Sequence, residues 1–421
     1  MKNIGILVSH PIGNRNTRAI LTAVEEAGLL TEFDTAFAVD PDAAWLTVLP
    51  GSLRQEFLRR SYSIDFNKIK TYPVKELVRL FGPKLGFNKV ITHETGWASI
   101  DAVCSDLDQK VSERLPMLVE QKGLTAVYGY EDCALNTFIK AKELGLTCIY
   151  DLPIAYWETG KKLMLEEADR LPQWAITLGG GIGDSEQKLE KKTRELELAD
   201  VVVGPGSFVM DSIPTWARNK KTIMAPFGSP ELQGENDNQR LSAQDLETKK
   251  LRVLFVGSMG QRKGLGDLFE AVKSLNNENI ELVVMGNLLA PLEFYKGQFP
   301  DFTYETGRSH DQVLALMRSC DVFCLPSIVE GRALVMQEAM SQQLPIIITE
   351  NTGGLDLVLE GQTGFAVPIQ SPDKIAEKIN WFHENRSQIP VMGKLAQEHA
   401  AKYTWNNYGD TVVQSIRGFI K

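Results

Sequence analysis

Two glutamates, Glu330 and Glu338, stand eight positions apart in SIVEGRALVMQEAM, Ser327 to Met340. The run between them is almost wholly apolar, so one carboxylate precedes a buried helix and the other lies about 1.5 turns inside it. A carboxylate on such a helix needs donors. The paired hydroxyls of a ribose would serve, and so would an ordinary salt bridge. Two carboxylates also fit a glycosidase pair, roughly 5–5.5 or 6.5–9.5 Å apart across a scissile bond. A loop residue and a helix residue are poorly placed to point at one sugar.

The segment VGSMGQRKG, Val256 to Gly264, follows a strand and precedes a helix. Gly257, Gly260 and Gly264 allow a tight turn and close backbone approach. The helix N-terminus favours phosphate, and Arg262 and Lys263 add two cations. A phosphate loop of the Walker type would need glycine at Arg262. A dinucleotide fold would want GxGxxG and an acid ending the next strand, where Met285, Gly286 and Asn287 stand instead. A diphosphate clamp fits the charges, and a solvated turn is the plain alternative. Gly353 and Gly354, after the strand LPIIIT, read as a second phosphate-facing helix start or as a glycine turn. His10 could reach a cleft from the end of the first strand. His93 lies in a less patterned stretch, and a structural hydrogen bond is the commoner role for either. The acidic pairs Asp40/Asp42 and Asp106/Asp108 read as surface features rather than as a metal motif.

These residues must be positioned by a chain of 421 residues, which suits two domains. Short runs apolar on both faces (NIGILVS, TAFAV, TAVYGY, TCIYDL, ADVVVG, KTIMAP, then LRVLFVG, ELVVMG, DVFCLPS, LPIIIT) alternate with amphipathic helical patterns such as KGLGDLFEAVKSL and DKIAEKINWF. That alternation predicts covered parallel sheets in an α/β fold, with ligands at the carboxyl ends of the strands. The polar stretch from Ser229 to Lys250 predicts a linker. With 43% hydrophobic and 24% charged residues and a net charge of −9, the total charge offers no support for a nucleic-acid partner. Five cysteines without zinc spacing fit a reducing compartment. The start reads as a first strand rather than a secretion signal, and no apolar run approaches the roughly 20 residues of a membrane span. The segment Arg54 to Phe87 is basic with interspersed apolar residues, which suits either a solvated face or a membrane-surface element.

In order, FVGSMGQRKG, DVFCLPSIVEGRALVMQEAM, LPIIITENTGG and GQTGFAV resemble the family 4 retaining glycosyltransferases of the GT-B fold. The match is close over residues 251–405 and rests on pattern in the first half, in PIGN, VYGYED and LADVVVGPGSFVMDSI. The resemblance implies two Rossmann-like doubly wound domains facing across a cleft. An acceptor domain would span 1–230, a linker 231–250 and a nucleotide-sugar domain 251–402, with a final helix at 403–421 packing back on the first domain. The implied activity moves a hexose from a UDP- or GDP-sugar to a glycan, lipid-linked or small-molecule acceptor, with retention, in carbohydrate biosynthesis. It uses no cofactor and no metal, and its setting would be cytoplasmic or peripheral on the inner face of a membrane.

By this resemblance Lys263 holds the donor diphosphate, and Arg262 supplies the charge of a family arginine whose place Ser258 takes beside Gly257. Glu330 contacts the donor sugar. Backbone N–H groups of Arg332, Ala333 and Leu334 reach sugar and phosphate, Glu338 binds ribose, Gly307 and Arg308 lie against the base, and Gly353 and Gly354 face phosphate. Gly13 and Asn14 form the loop that closes on the diphosphate. His10, Asn14, Tyr128, Tyr130 and Glu131 lie on the acceptor side. The acceptor attacks the face the diphosphate leaves, so no protein nucleophile is needed. A nicotinamide-dependent oxidoreductase and a non-catalytic sugar-nucleotide binder are the alternatives.

Overall fold

Seven parallel strands form the first sheet, ordered β3-β2-β1-β4-β5-β6-β7: β1 (Ile6–Ser9), β2 (Leu30–Thr35), β3 (Ile69–Thr71), β4 (Ala126–Tyr130), β5 (Thr147–Asp151), β6 (Val201–Gly204) and β7 (Lys221–Met224). Six more form the second, ordered β10-β9-β8-β11-β12-β13: β8 (Leu251–Val256), β9 (Ile280–Met285), β10 (Phe302–Glu305), β11 (Val322–Leu325), β12 (Ile346–Thr349) and β13 (Gly364–Val367). The computed structural model describes residues 4–179, 182–230 and 249–420. Most of the expected linker, 231–248, lies outside the described residues.

Every residue of β4, β6, β11 and β12 is buried, as continuous apolar runs in a sheet covered on both faces require. Each sheet reverses its order beside its first strand, between β1 and β4 and between β8 and β11. The crevice outside such a switch point is where open α/β sheets bind ligands. Nine helices matter below: α1 (Arg15–Glu26), α2 (Pro73–Phe81), α3 (Ile100–Lys122), α4 (Trp157–Arg170), α5 (Glu186–Leu198), α6 (Leu265–Leu275), α7 (His310–Arg318), α8 (Leu334–Ser341) and α9 (Trp405–Arg417).

Two expectations need correction. TAFAV gives only its first residue, Thr35, to a strand; β2 runs over Leu30–Thr35. Its charges disguise it, for Glu32 and Asp34 are buried. Arg114 from α3 reaches Asp34 at 2.8 Å and Lys122 reaches Glu32 at 2.9 Å. Asp108 is no surface residue either. It is 1% exposed and accepts the N–H groups of Asn136 (2.8 Å) and Thr137 (2.9 Å), capping the helix that follows β4.

The two halves are joined at several points. Helix α9 returns to the first domain and lies on α1, where a Cβ on Gly409 would come within 2.6 Å of the Ala23 methyl. Gln337 on α8 donates to the Phe227 carbonyl (2.8 Å) and to Ser229 Oγ (2.9 Å). A third link crosses the expected boundary. Trp174, shortly after α4, belongs to the core of the second domain, where its ring meets Phe269 at 5.7 Å and Phe294 at 5.1 Å. Glu167 of α4 is fully buried and accepts from Gln261 (2.6 Å) and Gln370 (2.6 Å) of the second half. The segment 157–178 thus starts from the first sheet and seats on the second.

Candidate functional site

Glycines and one glutamine build the turn after β8. A Cβ on Gly286 would lie 1.6 Å from the Gly257 carbonyl, and one on Gly264, at φ +71°, 1.9 Å from the Pro326 carbonyl. Both positions exclude a side chain because two backbones touch there. Gln261 points inward and is fully buried. Its N–H donates to Thr177 Oγ1 (3.0 Å), its Nε2 to Glu167 and to Asp267 (2.9 Å), and its Oε1 accepts from Gly266 (2.9 Å). With Gln261 pinned, the next two residues of the turn face the cleft. Arg262 Nη1 donates to Glu330 Oε1 at 2.7 Å and to the Val329 carbonyl at 3.0 Å. Lys263 Nζ contacts the same Glu330 oxygen. Burial pulls the Lys263 ammonium below its ordinary pKa, with Glu330 opposing the fall and Arg262 adding to it. Two cations share one carboxylate, which leaves a positive charge in excess. Gly257 and Ser258 open this turn: a side chain on Gly257 would meet the Lys263 chain at 3.7 Å, and the Ser258 carbonyl accepts from Gly260 N–H at 2.8 Å.

Glu330 itself is 7% exposed and sits where the domains touch. Its carbonyl accepts the Ala155 N–H at 3.4 Å. A Cβ on Gly331 would lie 1.7 Å from the Pro153 carbonyl, and one on Gly353, at φ +76°, 1.7 Å from the Gly331 carbonyl. Gly331 thus stacks backbone on backbone against the first domain, and Gly353 stacks on Gly331 within the second. The helix expected after Gly353 and Gly354 is a single 3-10 turn, Leu355–Leu357, so the reading of a second phosphate-facing helix start is corrected. Arg332 turns away from the cleft. Its side chain is fully buried on Asp356 (2.7 Å), Gln337 (3.0 Å) and the Gly353 carbonyl (3.2 Å), 4.9 Å from the Tyr403 ring. Ala333 N–H is directed at the Thr352 carbonyl (3.4 Å), and the Leu334 side chain packs on the first-domain core.

Glu338, half-buried on α8, faces Arg15 (3.8 Å) at the start of α1 and His310 (3.9 Å) at the start of α7. Both distances exceed a hydrogen bond, so its oxygens remain available to hydroxyl donors. Gly307 and Arg308 sit just before α7, with Arg308 paired to Glu305. Arg15 and His310 escaped the sequence reading. Their signals were the helix starts themselves, Asn14 capping α1 and Ser309 with Gln312 forming a capping box on α7.

On the first domain, His10 Nδ1 accepts the N–H groups of Gly13 (2.8 Å) and Ile12 (3.2 Å). Burial pushes the imidazole down to about 3, so it is neutral and shapes the loop. Gly13, at φ +55°, has no room for a Cβ against Tyr62. Asn14 caps α1 through the Thr17 N–H (3.0 Å). Tyr128 and Tyr130 turn into the core under α1 and α9 rather than toward the cleft. The Tyr128 hydroxyl donates to Asp151 Oδ2 at 2.6 Å.

Burial, with only tyrosine hydroxyls as compensation, pushes Asp151 up to about 7. Between pH ~4 and ~7 the folded state therefore holds a proton the unfolded chain has lost, so stability falls across that window and stays lower above it. Asp151→Asn removes this cost and keeps an acceptor for Tyr128. It should raise Tm at pH 8 by about 3 °C or more and leave Tm at pH 4 nearly unchanged, as read by calorimetry.

Glu131 follows Tyr130 and points to the other face. It lines a cavity of about 330 Å³ between the domains, with Trp157, Lys161, Lys188, Lys192 and Arg262. Burial pushes Glu131 up to about 7 against the pull of Lys192, and its Oε1 has no hydrogen-bond partner among the described residues. Trp157 is fixed by Nε1 donating to Thr193 Oγ1 (3.2 Å) and gives the cavity an aromatic wall. His93, Glu94 and Asp184 bring ligand atoms within 4.8 Å of one another at this wall, the one such group among the described residues. Lys188 Nζ lies 3.2 Å from the same Asp184 oxygen that meets His93 at 3.0 Å, so an ammonium already answers that carboxylate. Trp157, Lys161, Lys188 and Lys192 were not read from sequence as site residues, since α4 and α5 look like ordinary charged helices, and His93 was weighed there only against a structural hydrogen bond.

Residues 237–399 match the family described as glycosyl transferases group 1. The chain is 24% identical over 422 residues to a D-inositol 3-phosphate glycosyltransferase of Corynebacterium diphtheriae, covering 89% of this chain and 92% of that one. It spans less than half the length of two further curated relatives. A glycosyltransferase of Methanocaldococcus jannaschii is 29% identical over 36% of this chain and 44% of its own. Sulfoquinovosyl transferase SQD2 of Arabidopsis thaliana is 29% identical over 48% and 39%. Among solved structures, a sucrose-phosphate synthase from Thermosynechococcus elongatus superposes with a TM-score of 0.63 at 15% identity, over 99% of this chain and 98% of that one. HepE of Anabaena in complex with UDP gives 0.60 at 14% identity, over 98% and 100%. At such identities these two establish the shared fold. No helix among the described residues is long and apolar enough to cross a membrane.

Proposed function

We propose, from the premise that this chain is a family-4-like glycosyltransferase of the GT-B fold, that it transfers a hexose from a nucleoside diphosphate sugar with retention of configuration. The observation that carries this reading is the convergence of Arg262 and Lys263 on one oxygen of Glu330 at the switch point of the second sheet. As the sugar–phosphate bond breaks, negative charge grows on the departing diphosphate. Two cations held in a half-dry cleft by a buried glutamine are preorganised to meet it, in the role a divalent ion fills elsewhere. The diphosphate takes over Arg262 and Lys263, and the freed Glu330 carboxylate meets sugar hydroxyls. Glu338 accepts from the ribose hydroxyls, and the base lies toward Gly307 and Arg308. The acceptor hydroxyl enters from the cavity lined by Glu131 and Trp157, attacks the face the diphosphate leaves and passes its proton to a departing phosphate oxygen. HepE has been solved with UDP-glucose, which supports a UDP-sugar as the first donor to try.

The test needs no acceptor. Sugar nucleotides are screened for slow release of free nucleotide, and the active one is titrated against variants. Glu338→Ala should raise the Kd for the nucleotide about tenfold, the worth of one good charged hydrogen bond, with a smaller effect on the rate once bound. Unchanged affinity would remove Glu338 from the ribose site, and release of no nucleotide from any donor would sink the reading.

A further inference from the structure

We infer that the lobe carried between β2 and α3, residues 45–100, docks on an anionic lipid surface and brings the acceptor cavity to it. Nine of the 21 strongly exposed large apolar side chains of the described residues fall in this short stretch. The most projecting are Val48, Val74, Leu85 and Phe87, at 62–81% exposure. Leu85 and Phe87 flank Gly86, whose φ of +87° turns the chain between two 3-10 turns, so the pair forms an apolar tip. Ring contacts tie the pieces into one body: Trp45 meets Phe57 at 5.3 Å, Phe57 meets Phe81 at 6.4 Å, and Lys84 lies 5.3 Å over Phe81.

Charge selects the partner. From Arg54 to Lys89 the chain has nine Lys and Arg against three Asp and Glu, a local +6 in a protein of net −9. The three acids are engaged internally. Glu76 is fully buried between Arg79 (2.7 Å) and Arg60 (3.5 Å), Glu56 meets Arg59 (3.5 Å), and Asp65 accepts from Asn67 N–H (2.9 Å). Lys84 and Lys89, on either side of the apolar tip, make no ion pair among the described residues. Apolar tips beside unpaired ammonium groups match an acidic bilayer, where the first enter the acyl boundary and the second meet lipid phosphates. The chain runs on from Ile91 to His93, which lines the cavity. Docking therefore sets that cavity beside the lipid, and a membrane-borne hydroxyl is the acceptor class it selects. The docking stands on the surface alone; only the acceptor class rests on the glycosyl-transfer reading.

The full chain is sedimented with vesicles of phosphatidylcholine, and with vesicles of equal parts phosphatidylglycerol and phosphatidylcholine. Binding is expected only to the acidic vesicles, weakening as salt is raised. The double variants Leu85→Ser/Phe87→Ser and Lys84→Glu/Lys89→Glu should each weaken it about tenfold or more. Val391→Ser, the loss of another exposed apolar side chain, on the second domain, should leave it unchanged. No vesicle binding by the native chain, or binding by either double variant as tight as the native chain's, overturns the inference. So does a vesicle-inert dimer that Leu85→Ser/Phe87→Ser dissolves, which would assign the face to a second copy. Donor hydrolysis in solution should be the same in all these proteins. Its absence from the native chain would refute the glycosyl-transfer reading and leave the vesicle result standing.

Discussion

Lys263→Ala should slow nucleotide release from the bound donor by about 10²–10³-fold, the ~3–4 kcal/mol that a preorganised donor in a dry site contributes to a charged transition state. The size follows from the charge count. Arg262 and Lys263 share the Glu330 carboxylate, so removing one cation leaves a neutral pair and no excess charge for the departing diphosphate. The loss should fall mainly on kcat, because the charge on the diphosphate is greatest as the bond breaks. Lys263→Arg should recover little, since a planar fork cannot occupy a slot shaped for a compact ammonium beside Arg262. A drop of less than threefold, with the donor still bound, would mean that the cluster does not act on the leaving group.

Gly331→Ala should reduce turnover by about 10²-fold or more for a different reason. The added methyl would lie 1.7 Å from the Pro153 carbonyl and 3.0 Å from Ile154 Cα, both on the opposite domain. Rigid backbone cannot yield that much, so the domains must separate where Glu330 meets Ala155. The nucleotide contacts proposed on the second domain would be kept, and the Kd for free nucleotide should change by less than a factor of about three, well under 1.4 kcal/mol. Gly354→Ala is the internal comparison. Its methyl would meet the end of the Met336 side chain at 2.6 Å, which can swing aside, so turnover should suffer far less. Equal kinetics in Gly331→Ala and the native chain would show that the contact at Pro153 is not needed for reaction.

The second sheet was legible because its strands are apolar on both faces and its turns carry glycine and cations in sequence. Glu330, Lys263 and Arg262 could be chosen from those patterns, although their sharing of one oxygen could not. The first domain was harder to read. β2 hides behind Glu32 and Asp34, whose burial depends on Arg114 some 80 residues later. Tyr128 and Tyr130 looked like cleft residues by position, but strand alternation sends them inward and gives the cavity to Glu131. The lysines of α5 were indistinguishable from solvated charges, because only the fold brings them to Asp101, Glu131 and the cavity that Arg262 also lines. His10 shows the same limit: its neighbours in sequence take up its acceptor atom.

The seating of residues 157–178 on the second sheet means that the chain cannot be divided cleanly at its middle. A fragment starting at Leu251 would lack Trp174, leaving the pocket between Phe269 and Phe294 open to water, and would lose the carboxylate that receives Gln261 and Gln370. Gln261 aims the two cations, so the polypeptide that orients the charged turn after β8 is partly borrowed from the first half of the chain. Under the proposed function neither half owns a complete active centre, and swapping halves between relatives to change specificity would have to carry this borrowed segment with the second sheet, on which it seats, rather than with the sheet from which it emerges.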